Sequence, residues 1–482
     1  MPLATPGANT DASGRTRCAS GDDKLPGTPH GAGMTPAVRS TVLACLYFAG
    51  FGCLIPFLPL WLEKVHGFSG AEIGVVLAIA SFSRALAGPL TAAWADGRSD
   101  RRAPLFLFTI VLTIGFAILK LLTGFVAVFA LILVLDIAFW GLLPVVETTL
   151  LRLTRSSKSQ LNVGRKFALI AFVIVFSGIG GLIDLAGSWP LWSIVFSAAA
   201  QLVAITIYFL SGGPSYGSGR GLASYAFVVG TSTVGFLIDR QHSYWPIWAF
   251  LLTISAVMIV WSAIMPREPM TARAERREPF GERLAAGLGM LKNPAFTLFI
   301  FAAGLIQGSA AFLYTAGSLV WTNQQHFSGN TIAMLWNIGT LAEVGFLIFL
   351  GGWSSRFRPE TLIVAGGVGA VIRWTALAAL PPLWILIPIQ LLHALSFAAT
   401  FLGGMRFIQA MYGDDRTPTA QMIYMGLANA PTYAAAVLVS GPLYDRIGAP
   451  GYLAMTAVAG LGLVLAVMLR ARASAPLVVA ST

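Results

Sequence analysis

Charge is scarce in this sequence. Charged residues occupy 11% of its 482 positions, less than half the roughly 25% carried by a soluble globular chain, too few to cover a water-facing surface. Cysteine is rarer still. Of Cys18, Cys45 and Cys53, the last two sit inside the first apolar segment, which excludes a disulfide framework and a cysteine metal cluster. The five histidines (His30, His66, His242, His326 and His393) form no H-E-x-x-H pair, and none of the six lysines follows a glycine, so the phosphate-cradling G-x-x-x-x-G-K-[ST] loop is missing as well. These absences leave no resident cofactor or metal to expect. Any uphill work must draw on an energy source other than ATP hydrolysis by this chain.

What the sequence has in quantity is apolar residues, 56% of the chain, with mean hydropathy +0.76. At about 20 residues per membrane-spanning helix, fourteen spans would use roughly 280 residues, close to that apolar share. The runs are unbroken, whereas barrel strands alternate. The expectation is an all-α polytopic membrane protein of about fourteen transmembrane helices.

The net charge of +11 is explained by position. With the amino terminus in the cytoplasm, 25 of the 31 Lys and Arg fall in cytoplasmic segments, four in outside loops, and two, Arg84 and Arg373, inside spans. That asymmetry follows the positive-inside rule. It places both termini in the cytoplasm and a multi-pass protein in a cell membrane, inner or plasma, with the lipid bilayer as its surroundings and no nucleic-acid partner. Residues 1–36, rich in Gly, Pro, Thr, Ser and Asp, read as a disordered cytoplasmic tail; Met34 is a second candidate start. Residues 37–265 form a first helical bundle, 266–294 a charged cytoplasmic linker, 295–470 a six-helix second bundle and 471–482 a cytoplasmic tail.

The first bundle holds a repeat. Residues 164–188 match residues 219–243 at 12 of 25 positions without a gap, and each copy runs on into Trp-Pro-x-Trp, at Trp189–Trp192 and Trp245–Trp248. A two-helix hairpin, 164–210 and 219–265, has been duplicated. This turns a twelve-helix core into fourteen.

Pieces spread along the chain now carry a resemblance. Tyr47-Phe48, Pro56-Phe57 and Trp61-Leu62 are followed by Ile73-Gly74, Arg84, and Pro144 with Glu147. Then come Tyr216-Gly217 with Arg220, Gln307-Gly308, Ala342-Glu343-Val344, Arg373-Trp374, Gln390 with His393, and Met405-Arg406. With the basic loop after the second span and the long central linker, they resemble the major facilitator superfamily, and within it the phenylpropionate permease group, relatives of lactose permease and nucleoside:proton symporters. That resemblance implies two helical bundles working by alternating access. It also implies proton-coupled symport of a small organic solute by what is expected to be a monomer. The superfamily's loop motif survives as Asp96, Arg101 and Arg102, gating or structural charges on this pattern, with Ser99 where a glycine is usual. Its second-half counterpart has Ser354 and Ser355 where an acid would stand.

Ionisable residues inside spans are costly and kept for function. Arg84, Asp136, Glu147, Glu343, Arg373 and His393 are such residues. Glu343, Arg373 and His393 stand nine to twelve residues from the inner ends of three consecutive spans, so at 1.5 Å per residue they share a layer roughly 14–18 Å deep, where transporters bind substrate and ions. A carboxylate there is pushed toward its protonated form by desolvation and away from it by a neighbouring arginine. Glu343 is therefore the expected proton carrier, with Arg373 tuning it; an inert Glu343–Arg373 pair is the alternative. His393, with Gln390 one turn earlier, serves either substrate, proton relay or packing. Glu147 and Arg220 read as gating or structural charges, Asp136 has no assigned partner, and Arg84 either meets an anionic substrate or pairs with an acid of its own bundle. Tyr47, Gln307, Tyr314, Asn337, Gln390, Tyr424 and Asn429 are substrate-binding candidates, with Trp336 and Tyr433 near them. The formal G-x-S-x-G at 213–217 lies in a glycine-rich loop with no histidine and acid assigned to it, which argues against hydrolysis. An aromatic or other organic acid is the expected substrate. Sugar or nucleoside symport and proton-antiport efflux are the alternatives, and a membrane-embedded enzyme or sensor is the alternative of another class.

Overall fold

The computed structural model describes residues 34–96, 102–154, 216–266, 280–347, 354 and 356–474, and every regular element among them is helical. The first six helices are α1 (Pro36–His66), α2 (Gly70–Asp96), α3 (Arg102–Leu119), α4 (Phe125–Thr154), α5 (Tyr216–Gln241) and α6 (Trp245–Ala263). After a short α7 (Phe280–Met290) come α8 (Pro294–Asn323), α9 (Gly329–Gly345), α10 (Pro359–Ala378), α11 (Leu383–Gly413), α12 (Thr419–Ile447) and α13 (Tyr452–Ser474). Among the described residues, ten helices are long and apolar enough to cross a bilayer. With α2 and the 17-residue α9, twelve helices coincide with twelve of the fourteen expected spans. The other two, residues 167–186 and 189–210, lie outside the described residues together with the earlier hairpin copy. The later copy is α5 and α6.

The protein is a multi-pass integral membrane protein, and its surface shows it. Large apolar side chains such as Val126 (76% exposed), Ile114 and Val464 stand on the outside of the helices, as expected where the solvent is lipid. Among the described helices, α1–α6 are the first group and α8–α13 the second. In the first, α1 packs on α5 and α6, α4 on α2 and α3, and α3 on α6; in the second, α13 packs on α8 and α10, and α10 on α11. The α1–α5 contact is backbone against backbone. A side chain at Gly230 would collide with the carbonyl of Ala49, and Thr231 donates to the Gly52 carbonyl at 2.7 Å, small-residue packing of the kind lipid-embedded helices rely on.

Local chemistry explains the ends. Pro246 of the Trp-Pro-x-Trp motif occupies the first turn of α6, where its missing N–H costs nothing. Trp248 donates to the Phe116 carbonyl at 2.6 Å, and Lys120 lies over both Trp245 and Trp248, tying α6 to the end of α3. Asn293 and Ser328 cap α8 and α9 with their side-chain oxygens. Within the stretch read as linker, α7 packs on the segment Thr400–Ile423, and Gly287 lies against Thr419 and Ile423 at the start of α12. Eleven residues are too few to announce a helix through hydropathy alone.

Candidate functional site

The three side chains expected in one layer of the second group, Glu343, Arg373 and His393, meet there, and Gln390 joins them. Arg373 of α10 is 2% exposed and Gln390 of α11 is 1% exposed. Arg373 Nη2 donates to Gln390 Oε1 at 2.6 Å, and Nη1 lies 3.0 Å from His393 Nδ1. On the far side of the imidazole, His393 Nε2 is 3.4 Å from Glu343 Oε2 of α9. Gly339, one turn before Glu343, faces His393, and a Cβ there would meet it at an ordinary van der Waals distance of 3.6 Å.

Donor chemistry then sets the tautomer. A guanidinium has no acceptor, so Nδ1 must accept from Arg373 and the ring hydrogen sits on Nε2, directed at Glu343. The direct Glu343–Arg373 pair expected from depth is thus replaced by a chain in which a neutral imidazole stands between the two charges. Depth along a helix is set by residue count, but the rotation that decides which neighbour a side chain meets is not. Trp374 supports the arginine from one side, its ring 4.8 Å from the guanidinium, and donates to Ser309 at 2.8 Å.

Three helices of this group break into π-helical turns: Leu313–Gly317 in α8, Ala394–Ala399 in α11 and Tyr424–Asn429 in α12. Such bulges frequently mark functional sites, and here each borders an expected site residue. Tyr314 packs its ring against Trp336 and Tyr433 and interacts electrostatically with both Glu343 and Arg373. Gln307 Oε1 accepts from the Tyr424 hydroxyl at 2.9 Å and from Asn429 Nδ2 at 2.6 Å, one small network built from three of the binding candidates. Asn337 reaches across to the first group and donates to Ser232 of α5 at 2.9 Å.

In the first group the structure redistributes the expectations. Tyr47 is 1% exposed, stacked on Phe139 with its hydroxyl on that residue's carbonyl; it belongs to the core, not to a cavity. Glu147 and Arg220, expected only as separate charges, form an ion pair at 2.8 Å with the guanidinium over Phe48. Asp136 is buried at 8% exposure. Arg102 opens α3. Arg101 and the side chains of Arg84 and Asp96 lie outside the described residues.

Sequence reading missed the contacts that hold the two groups together. At the end carrying the α1–α2 and α5–α6 loops, Asp239 at the end of α5 accepts from the Gly329 and Asn330 amides that begin α9, at 2.6 and 2.8 Å. The mirror arrangement joins Asp445 near the end of α12 to the Gly70 and Ala71 amides of α2, at 2.8 and 2.7 Å. Each carboxylate satisfies two orphan donors and meets the positive end of a helix. Beside them Asn323 of α8 donates to Glu63 and Tyr444 and accepts from Lys64. The only sequence signal was an acid closing an apolar run. A carboxylate in such a cap contributes roughly 0.5–2 kcal/mol relative to alanine, so Asp239→Ala or Asp445→Ala should shift the balance toward separated ends by about two- to thirtyfold. Cross-linking of cysteines placed at Gln241 and Asn330 should fall in step, and an unchanged cross-linking yield in the double variant would remove the latch role.

Comparison with known proteins follows the same lines. A family model described as MFS_1 like family matches residues 40–212 and 191–452. The probable 3-phenylpropionic acid transporter of Escherichia coli K12 is 25% identical over 407 residues, covering 83% of this chain and 89% of the relative. The maltose permease of Geobacillus stearothermophilus is 23% identical over 417 residues, 85% and 89% of the two chains. Among solved structures, the nucleoside transporter NupG superposes with TM-score 0.67 at 16% identity, over 92% of this chain and 100% of that one. A bacterial homologue of the human lysosomal transporter Spinster gives 0.59 at 13% identity, over 91% of this chain and 98% of that one.

Proposed function

We propose, from the premise that this chain belongs to the MFS_1 like family of major facilitator transporters, that it is a proton-coupled symporter of a small organic acid working by alternating access. The observation that carries this reading is the Glu343–His393–Arg373 chain, one carboxylate and one permanent cation joined through a neutral imidazole within membrane-spanning helices. A group of this kind is kept in hydrocarbon for proton or substrate traffic. Glu343 is the proton carrier, Arg373 holds the compensating charge, and His393 with Gln390 fixes the geometry between them. The Gln307–Tyr424–Asn429 network and Tyr314 are the uncharged groups nearest in character to a substrate seat. Glu147 and Arg220 form the corresponding charged element of the first group.

An acid is preferred because Arg373 gives an anion a partner inside the membrane and because the 25%-identical relative is named for 3-phenylpropionic acid. A neutral sugar is the second reading, supported by the maltose and raffinose permeases among the relatives. The charge asymmetry puts both termini and α7 in the cytoplasm, so the Asp239 and Asp445 latches close the outer side. The bilayer is that of the cell membrane, the working unit a monomer, and the proton gradient the energy source with no cofactor. Proteoliposomes holding the purified protein test this reading. An inward proton gradient should drive accumulation of 3-phenylpropionate, and a protonophore should abolish it. Uptake indifferent to the protonophore would overturn the proposal.

A further inference from the structure

The buried cation Arg373 is balanced through one imidazole. Arg373 is in contact with neutral atoms, His393 Nδ1, Gln390 Oε1 and Ser396 Oγ, and its counter-charge is the Glu343 carboxylate one imidazole away. His393 offers that side a single hydrogen, on Nε2. The Glu343 side chain is 27% exposed and His393 11%. A carboxylate turned to lipid is disfavoured, so the open side of this contact faces water-accessible space. The contact is also long, 3.4 Å, against the 2.7–2.9 Å of a tight charge-assisted bond.

The other titratable groups around Glu343 do not supply an alternative anion. Tyr314 of α8 is a phenol, whose ordinary pKa of about 10 leaves it uncharged at neutral pH. From α5, packed on α9, Arg220 is engaged with Glu147 and Asp239 with the first turn of α9, fourteen residues or about 21 Å along the helix from Glu343. Glu63 and Lys64 of α1 are held with Asn323 at that same end. Tyr452 of α13 is a phenol stacked on Trp374 and likewise uncharged at neutral pH.

We propose that the His393 Nε2–H is a seat for one carboxylate, occupied by Glu343 in the empty carrier and by the substrate's own carboxylate in the loaded one, so that one proton accompanies each monocarboxylate and the cycle is electroneutral. This rests on the symport reading above. A proton from the outer water bonds to a Glu343 oxygen, the carboxylate loses its charge and releases Nε2–H, and the substrate carboxylate accepts that hydrogen bond. On the inner side substrate leaves, Glu343 gives its proton to water and returns to His393. Both the empty ionised form and the fully loaded form carry zero net charge at the cluster. A proton without substrate leaves +1 and a substrate without a proton leaves −1, each an unpaired buried charge of the kind that is strongly destabilising. Slippage is suppressed by the same balance that couples the two solutes.

The test uses wild-type protein in proteoliposomes with 3-phenylpropionate as probe. A pH gradient alone should drive uptake, and a potassium–valinomycin potential of either sign, at equal pH, should drive none. Binding should weaken about tenfold per pH unit on the alkaline side, the linkage of one proton, whereas Glu343→Gln should bind with no pH dependence. The uncharged 3-phenylpropanamide should not compete. Uptake driven by the potential while remaining proton-dependent overturns electroneutrality and leaves symport standing; uptake indifferent to the pH gradient removes symport itself. Competition by the amide, or accumulation of maltose in place of the acid, overturns the carboxylate seat. Because the potential measurement needs no variant, the result does not hinge on whether Glu343→Gln folds.

Discussion

Glu343→Gln should reduce gradient-driven accumulation of substrate to the one-to-one ratio of simple equilibration while leaving substrate exchange across the membrane intact. Glutamine reproduces the shape and neutrality of the protonated acid, so the variant is fixed in the state that releases His393. Loaded with an anion, the cluster is neutral and can reorient; emptied, it keeps Arg373 uncompensated and cannot return. Breaking a buried pair by removing one partner costs about 3–5 kcal/mol, which at 1.4 kcal/mol per factor of ten slows the empty return by roughly a hundredfold or more. Counterflow of labelled substrate against net uptake separates the two steps. Wild-type accumulation in this variant would move the proton site elsewhere, with Glu147 next because its carboxylate already pairs with Arg220 in the first group.

Gly441→Trp should abolish net transport and open the outer side. A side chain on Gly441 would collide with the carbonyl of Gly70, where α2 and α12 cross beside the Asp445 latch. The partner crossing is built the same way, with a Cβ on Gly235 meeting the Gly329 carbonyl at 2.5 Å. Neither backbone can yield without moving its helix, and interiors packed at crystal density do not absorb an indole. The ends must separate. A cysteine at Asn337, at the α9–α5 contact, should then label with an impermeant maleimide from outside, against background labelling in the parent. Gly460→Trp is the control, since nothing lies within 4 Å of its Cβ position. An outer side that stays closed in Gly441→Trp, with transport retained, would show that this crossing does not limit closure.

The two predictions separate what the chain reveals from what it conceals. That the protein is a bundle of membrane helices, that α5 and α6 are the later hairpin copy, and that Glu343, Arg373 and His393 share one depth all follow from residue counts. Bilayer partitioning is decided segment by segment through hydrophobicity, and depth by 1.5 Å per residue. Those quantities need no knowledge of neighbours. Which side chains touch is a different matter, because it depends on the rotation of each helix about its axis and on contacts between residues far apart in sequence. Only the tertiary structure placed an imidazole between Glu343 and Arg373, sent Tyr47 into the core although its polarity suggested a cavity, and joined Glu147 to Arg220 across 73 positions of chain. It alone showed Asp239 and Asp445 on the amides of helices from the opposite group. An acid at the end of an apolar run is as well suited to water as to a helix end, and the packing of the two groups is what chooses between them.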